Sequence, residues 1–381
     1  MIKSYTATTR EIDDEVAAVE EILAALKPEQ NLLRNSIGVV SYFPEFEETG
    51  VLKAICDALP FDCVGTTTCI CSSDNQTDQV IFTIAVLTSD DCEFETAVLP
   101  ITERYEESIS STLSPLLGRP DKPALILSFF PLINTVSGDM ILAAIDRTTG
   151  GIPLFGTTAI DHTTDYSAAK TMHNGKGYRE AAVLGLIHGA PNFSFEIASL
   201  DESKIRNQKA IITESDGSIL TGVNGKSALE YLEEIGVTEQ DLSTGLGILP
   251  LVVDHMDGTK PVARAVFTLT PDGHAVCGGA MPVGATLAMG RVNKDDVMNT
   301  TERALKPFVK EGSHIFSYSC MARYLALGVD YAAEAEMVSG IAGGTQYLFA
   351  CSGAEICPLP DSSGKLKNFF HNFTIVFCRL S

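Results

Sequence analysis

The sequence predicts an α+β fold: mixed, largely antiparallel sheets with helices on their outer faces, built from duplicated strand–helix–strand–strand–strand units. Three observations carry this. Apolar, β-branched runs alternate with short stretches of helical periodicity. One strand-end motif and one Gly-Thr-Thr motif recur in the same order. Hairpin-type alternating runs outnumber crossover units, which argues against a purely parallel, doubly wound sheet.

A helix is expected first, within residues 1–28. Thr8 and Glu11 fit a capping box, and Ile12, Val16, Val19, Ile22, Leu23 and Leu26 keep helical spacing until Pro28. The apolar run 37–44 ends in Ser-Tyr-Phe-Pro at Pro44, a short helical segment follows, and a second strand opens with Gly65-Thr66-Thr67. The run 124–131 ends in Ser-Phe-Phe-Pro at Pro131, the helical segment 137–151 follows, and the next strand opens with Gly156-Thr157-Thr158. The prolines stand 87 residues apart and the glycines 91, so a four-residue insertion reconciles the copies. Alternating strands at 79–89 and 92–101 complete the first copy; 180–189 and 193–200 complete the second. A helix near 103–117 joins them.

The polar stretch 201–209 marks a boundary, giving one unit over 29–207 and another over 208–381. Beyond it, Asp216-Gly217 and Pro271-Asp272-Gly273 signal hairpins. A helix begins near Asn293, capped with Asp296. A third relative of the unit then appears: a strand ending at Cys320, a helical stretch 321–340, a strand at 346–355 and a closing strand at 373–380.

Composition narrows the function. The 381 residues carry a formal net charge of −22, which argues against nucleic acid or an anionic membrane surface as partner, because both need a basic footprint. No run approaches the roughly 18 apolar residues that span a bilayer. The N-terminus has acids at Asp13, Asp14 and Glu15 where a signal peptide has its apolar region. The ten cysteines are too sparse for a disulfide scaffold, so a reduced, cytoplasmic protein is expected.

Several residues offer chemistry. Cys320 stands where a strand becomes a helix, and Arg323 lies one turn on, so an anion such as a carboxylate is able to rest on that helix start with Arg323 as its fork. The structural alternative is an internal pairing of Arg323 with Glu355. Cys320 with His371 as base also reads as a cysteine hydrolase, with Asn372 or Glu355 orienting the base and the helix start lowering the thiol pKa; the plain reading of Cys320 is a buried small hydrophobe. The Gly-Thr-Thr motifs offer hydroxyls beside a flexible glycine, or simply a duplicated bend. Cys69 and Cys71 point to one face of a strand beside Cys63, but no second ligand pair follows at zinc spacing, so no metal is expected. His162, His173, His188 and His255 are candidate axial ligands for a haem, though no Cys-x-x-Cys-His is present. No GxGxxG and no P-loop suggest a nucleotide.

The last region carries Ser319-Cys320-Met321-Ala322-Arg323, Gly353-Ala354-Glu355 and His371-Asn372-Phe373-Thr374. These resemble the signature of the FIST C domain, roughly Ser-Cys-x-x-Arg, Gly-Glu and His-Asn-x-Thr. Gly65-Thr66-Thr67-Thr68 resembles the Gly-Cys-Ser-Thr of FIST N, and Gly225-Lys226-Ser227-Ala228-Leu229 the Gly-x-Pro-Ala-Leu join between the halves. Arg264 and Pro282-Val283-Gly284 also fall where that family has Arg and Pro-x-Gly. The chain departs from the pattern at Ala354, at Thr66 and at Ser227. The resemblance implies an intracellular sensory domain for a small ligand, with amino acids proposed as ligands, haem bound in some members and signalling proteins as partners. The expected site is one cleft between the halves, lined by Cys320, Arg323, Glu355, His371 and Asn372 with Thr67 or Thr158 facing them. Arg323→Ala is expected to abolish anion binding at modest cost in stability.

Overall fold

The computed structural model describes residues 1–133, 136–163, 165–207, 209–237 and 249–381. The fold is α+β. At the N-terminus an edge strand, β1 (Ile2–Thr9), precedes the helix, which begins at Glu15 rather than at Thr8. The threonine-rich run suits a strand. The cap is Asp14, whose carboxylate accepts from the backbone N–H groups of Val16 and Ala17.

The first unit contains β2 (Asn35–Tyr42), a helix over Val51–Ala58, β3 (Cys63–Thr67), a short hairpin β4 (Cys71–Ser73) and β5 (Gln76–Asp78), and β6 (Phe82–Ser89). In the second, β7 (Glu93–Pro100) leads to β8 (Pro123–Phe130), a helix over Gly138–Thr149, β9 (Leu154–Thr158), the hairpin β10 (Thr171–His173) and β11 (Lys176–Tyr178), and β12 (Ala181–His188). After β13 (Phe193–Ala198) come the barrel strands β14 (Ala210–Asp216), β15 (Ile219–Val223), β16 (Lys226–Ser227), β17 (Pro250–Asp254), β18 (Val262–Leu269), β19 (Ala275–Cys277) and β20 (Thr286–Met289). The third unit contains β21 (His314–Cys320), helices over Met321–Leu327 and Ala333–Ala342, β22 (Gln346–Ser352), the hairpin β23 (Glu355–Pro360) and β24 (Leu366–His371), and β25 (Ile375–Leu380).

Three six-stranded sheets share one order: β1-β6-β2-β3-β10-β11, β7-β12-β8-β9-β23-β24 and β13-β25-β21-β22-β4-β5. In each, an incoming strand pairs with a unit's last strand, then its first and second, and a hairpin from a different unit completes the edge. The first unit's hairpin completes the third unit's sheet, the second's completes the first, and the third's completes the second. The lending is therefore circular. The first and second strands of each unit run parallel around their crossover helix, and the other pairs are antiparallel. The runs 92–101 and 193–200 thus join the sheet of the following unit instead of closing their own. One core, with Val39, Val64, Leu127, Phe155, Phe316 and Leu348, receives side chains from all three sheets.

The Gly-Thr-Thr glycines are explained by backbone approach. In the parallel register Gly65 faces Val40 and Gly156 faces Ser128. A β-carbon at Gly65 would lie 2.0 Å from the Val40 carbonyl oxygen, and one at Gly156 1.7 Å from that of Ser128. Pro44 and Pro131 follow the ends of equivalent strands, one register position apart.

The strands β14 to β20 form a seven-stranded sheet that closes into a barrel through β14–β15. Its hairpins turn at Asp216-Gly217 and at Asp272-Gly273, with both glycines at positive φ (57° and 78°). A helix over Ala228–Glu234 packs on it under a Ser227/Glu230 capping box. A second capping box, Asn293/Asp296, starts the helix Lys294–Phe308, which returns the chain to the third unit. Among the described residues no helix is long and apolar enough to cross a membrane.

Candidate functional site

A cavity of about 620 Å³ opens where the barrel, the helix Lys294–Phe308, the chain leaving β13 and the third unit meet. Barrel residues 260–263 form one wall, and Thr300, Arg303 and Ala304 of the helix form another. His371 and Thr374, from the turn between β24 and β25, contribute from the third unit. The lining carries both signs of charge: Lys260 and Arg303 against Glu196, Asp201 and Glu202. Arg303 and Asp201 approach to 3.3 Å at the solvent-facing side.

The turn holding His371 and Thr374 is tightly specified. His371 stands opposite Glu355 across the β23–β24 pair. Its Nε2 lies 2.9 Å from the Cys357 carbonyl oxygen, which only accepts, so Nε2 carries the proton and Nδ1 the lone pair. Burial pushes its pKa down to about 4, so the ring is neutral near pH 7. The Asn372 amide donates to the His371 carbonyl and accepts from the Ala265 N–H of β18. Phe373 adopts a left-handed backbone, φ 57°, while fully buried. The Thr374 hydroxyl donates to Glu355 Oε2 at 2.6 Å.

Glu355 is fully enclosed, and its Oε1 has no partner. Burial raises its pKa well above the usual carboxylate range, against the lowering pull of the Thr374 hydrogen bond and of Arg323. Cys320 sits at the strand–helix junction, its N–H donating to the Thr374 carbonyl. Burial, with Glu355 next in weight, pushes the thiol well above its ordinary value and outweighs the backbone donors and Arg323. At neutral pH the group is a thiol, not a thiolate.

Arg323 turns the other way. Its guanidinium reaches Glu334 through Nε (3.1 Å) and Nη2 (2.7 Å), and Nη2 also meets the Val297 carbonyl and the Thr300 and Thr301 hydroxyls. Both partners are nearly fully buried. Arg323 thus stands behind the cavity wall at Thr300 rather than in the cavity. Thr67 exchanges hydrogen bonds with the Lys170 backbone. Thr158 exchanges backbone bonds with Gly353 and Ala354, just before Glu355, and its own hydroxyl is unpartnered. Cys320, Glu355, His371, Asn372 and Thr158 therefore gather around the β22–β23 junction and the turn after β24. Arg323 and Thr67 are bound elsewhere, to Glu334 and Lys170.

Two family models cover most of this chain: a FIST N domain matches residues 37–226 and a FIST C domain matches residues 228–358. The chain belongs to the FIST family. No curated protein matches it. FIST domains are associated with sensory signal transduction. The two FIST models meet at the Ser227 cap of the barrel helix, where serine accepts from the Glu230 N–H in place of the family's proline. The FIST arginine, Arg264, is buried in the barrel wall. It donates to the carbonyls of Ala263, Ala280 and Phe370, with Asp139 of the second unit 3.7 Å away. It joins the barrel to the second and third units.

Most of the histidines that the sequence offers as axial haem ligands are engaged elsewhere in the fold. His162 stacks on Phe43, His173 is bonded to Thr96, and His188 faces the Asp121 carbonyl and Glu95. None of these, nor His255, lines the cavity; His371 does, with Nε2 committed to Cys357.

Sequence reasoning missed Glu334, Lys260, Arg303 and Asp201. Glu334 lies eleven positions beyond Arg323 on a separate helix, and no spacing rule links them. Thr374 was within reach, as the last residue of the His-Asn-x-Thr motif.

Proposed function

We propose that this FIST protein is a sensor that binds a small molecule, an amino acid or another small carboxylate, in the cavity between its two halves. The observation that carries the reading is the mixed lining. Lys260 and Arg303 suit a carboxylate and Asp201 suits an ammonium, beside the hydroxyls of Thr300 and Thr374 and a neutral imidazole. A zwitterion needs that combination, and about 620 Å³ is an ordinary size for a small-molecule site. In this reading His371 and Thr374 touch the ligand. Cys320, Glu355, Asn372 and Thr158 hold those two in place, Arg323 holds Thr300, and Thr67 closes the first unit. Occupancy is passed to a signalling protein partner, and ten free cysteines suit work in the reducing cytoplasm.

The buried, protonated Cys320 gives the hydrolase reading no support. The test is a thermal-shift screen with the twenty amino acids and small carboxylates, repeated on Lys260→Ala/Arg303→Ala. A ligand at 100 times its Kd stabilises by about 2.7 kcal/mol. A positive shift that disappears in the double variant is expected. No shift with any compound, or one that survives both substitutions, sinks the reading.

A further inference from the structure

The turn His371–Thr374 touches three bodies within four residues. His371 and Thr374 line the cavity. Asn372 accepts from the Ala265 N–H of the barrel. Thr374 bonds the third unit twice, through its hydroxyl to Glu355 and through its carbonyl to the Cys320 N–H. Between these contacts stands Phe373, a bulky residue in a left-handed conformation that side chains with a β-carbon rarely adopt. Its ring packs with Ala263 and Ala265 of the barrel and with Cys320 and Ala322 of the third unit, so it is wedged in the joint. Strain of this kind persists only where surrounding contacts over-determine it, and it collects at switch regions.

We propose that this turn is the two-state element through which the barrel and the third unit sense the cavity. In one state the ring is in the joint, and the Asn372–Ala265 and Thr374–Glu355 bonds are both made. In the other, Phe373 relaxes to an extended backbone, the ring leaves the joint, and both bonds break together with the one from the Cys320 N–H to the Thr374 carbonyl. A ligand against His371 and Thr374 selects between them by its differential contact. That last step rests on the cavity being the ligand site; the coupling of the two bonds does not, and it is testable with no ligand.

The experiment is hydrogen exchange at the Ala265 amide in Thr374→Val, a nearly isosteric change that removes the Glu355 bond and no hydrogen bond to the barrel. Exchange at Ala265 is expected to rise about tenfold, while a first-sheet amide such as Ile84 stays unchanged. In a Phe373→Gly background, where the left-handed backbone costs no strain, the same substitution should leave Ala265 unmoved. The reverse measurement, exchange at the Cys320 amide in Asn372→Ala, carries the test if Phe373→Gly fails to fold, and the same tenfold rise is expected. With Phe373 in place, an unmoved Ala265 amide in Thr374→Val or an unmoved Cys320 amide in Asn372→Ala overturns the proposal, as does a rise matched at Ile84 or an equal rise in both backgrounds. Each result stands whether or not the thermal-shift screen finds a ligand.

Discussion

Replacing Arg323 with methionine removes one half of an ion pair that water does not reach. The two side chains are 1% and 3% exposed. The guanidinium also serves the Val297 carbonyl and two threonine hydroxyls. Methionine fills much of the volume but leaves the Glu334 carboxylate buried with only the Thr301 and Ser319 hydroxyls as donors. An uncompensated buried charge costs about 3–5 kcal/mol. Glu334→Gln strands the guanidinium and should cost a similar amount. The double change Arg323→Met/Glu334→Leu removes both charges and should recover most of the loss, because apolar replacement of a buried pair is often neutral. Urea denaturation followed by circular dichroism reads all three. Lys53→Ala is the control: its pair with Asp57 is 66% and 60% exposed and should matter by less than about 0.5 kcal/mol. If Arg323→Met costs under about 1 kcal/mol, or the double variant is as unstable as the sum of the singles, the pair is not the buried unit described. Loss of ligand binding in Arg323→Ala therefore needs a folding control, since the modest stability cost expected from sequence does not suit a buried pair.

Gly65→Ala and Gly156→Ala place a β-carbon against a backbone carbonyl oxygen and should yield little soluble protein, whereas Gly217→Ala, in open space at positive φ, should cost about 1 kcal/mol, read as a Tm shift. His314 is fully buried with neither ring nitrogen bonded, and burial lowers its pKa to about 3. A depressed histidine contributes stability that is present above its unfolded value of about 6.5 and lost as pH falls toward 3. Relative to His314→Phe, the natural protein should thus lose about 1.4 kcal/mol per pH unit between roughly pH 6 and pH 4; parallel stability curves would refute this. Iodoacetamide at pH 7 should leave Cys320 unmodified in the folded protein until denaturant is added, and rapid alkylation there by peptide mass spectrometry would reverse the assignment of a neutral thiol.

Periodicity was enough for the strands that fill the three sheets, because runs such as 37–44 and 124–131 are buried along nearly their whole length and mostly apolar. Asn293 and Ser227 show capping chemistry equally plainly. The short hairpins escaped notice. Cys71–Ser73 and Thr171–His173 are three residues long and polar, and what makes them strands is a partner sheet from elsewhere in the chain. At the site, Cys320, Glu355 and His371 were placed near one another by the crossover argument, since the strand–helix–strand geometry fixes which strand ends share an edge. The partner of Arg323 was not predictable, because whether a buried arginine meets Glu355 or Glu334 depends on how the helix Ala333–Ala342 packs. Helix-start chemistry also misled for the Cys320 thiol: the dipole favours a thiolate, and desolvation is the larger effect.

The circular lending of hairpins has a consequence for synthesis on the ribosome. The edge of β4 pairs with β22, whose first residue follows Ser73 by 273 positions. At roughly 5–20 residues per second, that hairpin waits about 14–55 s before its partner strand exists. Through that interval the nascent chain exposes unpaired strand edges, the kind of surface that aggregates or recruits chaperones. A fragment ending near residue 207 keeps the same exposure permanently, and it also lacks the β23–β24 hairpin that completes the second sheet. Completion of the first half therefore waits until the third unit has been made.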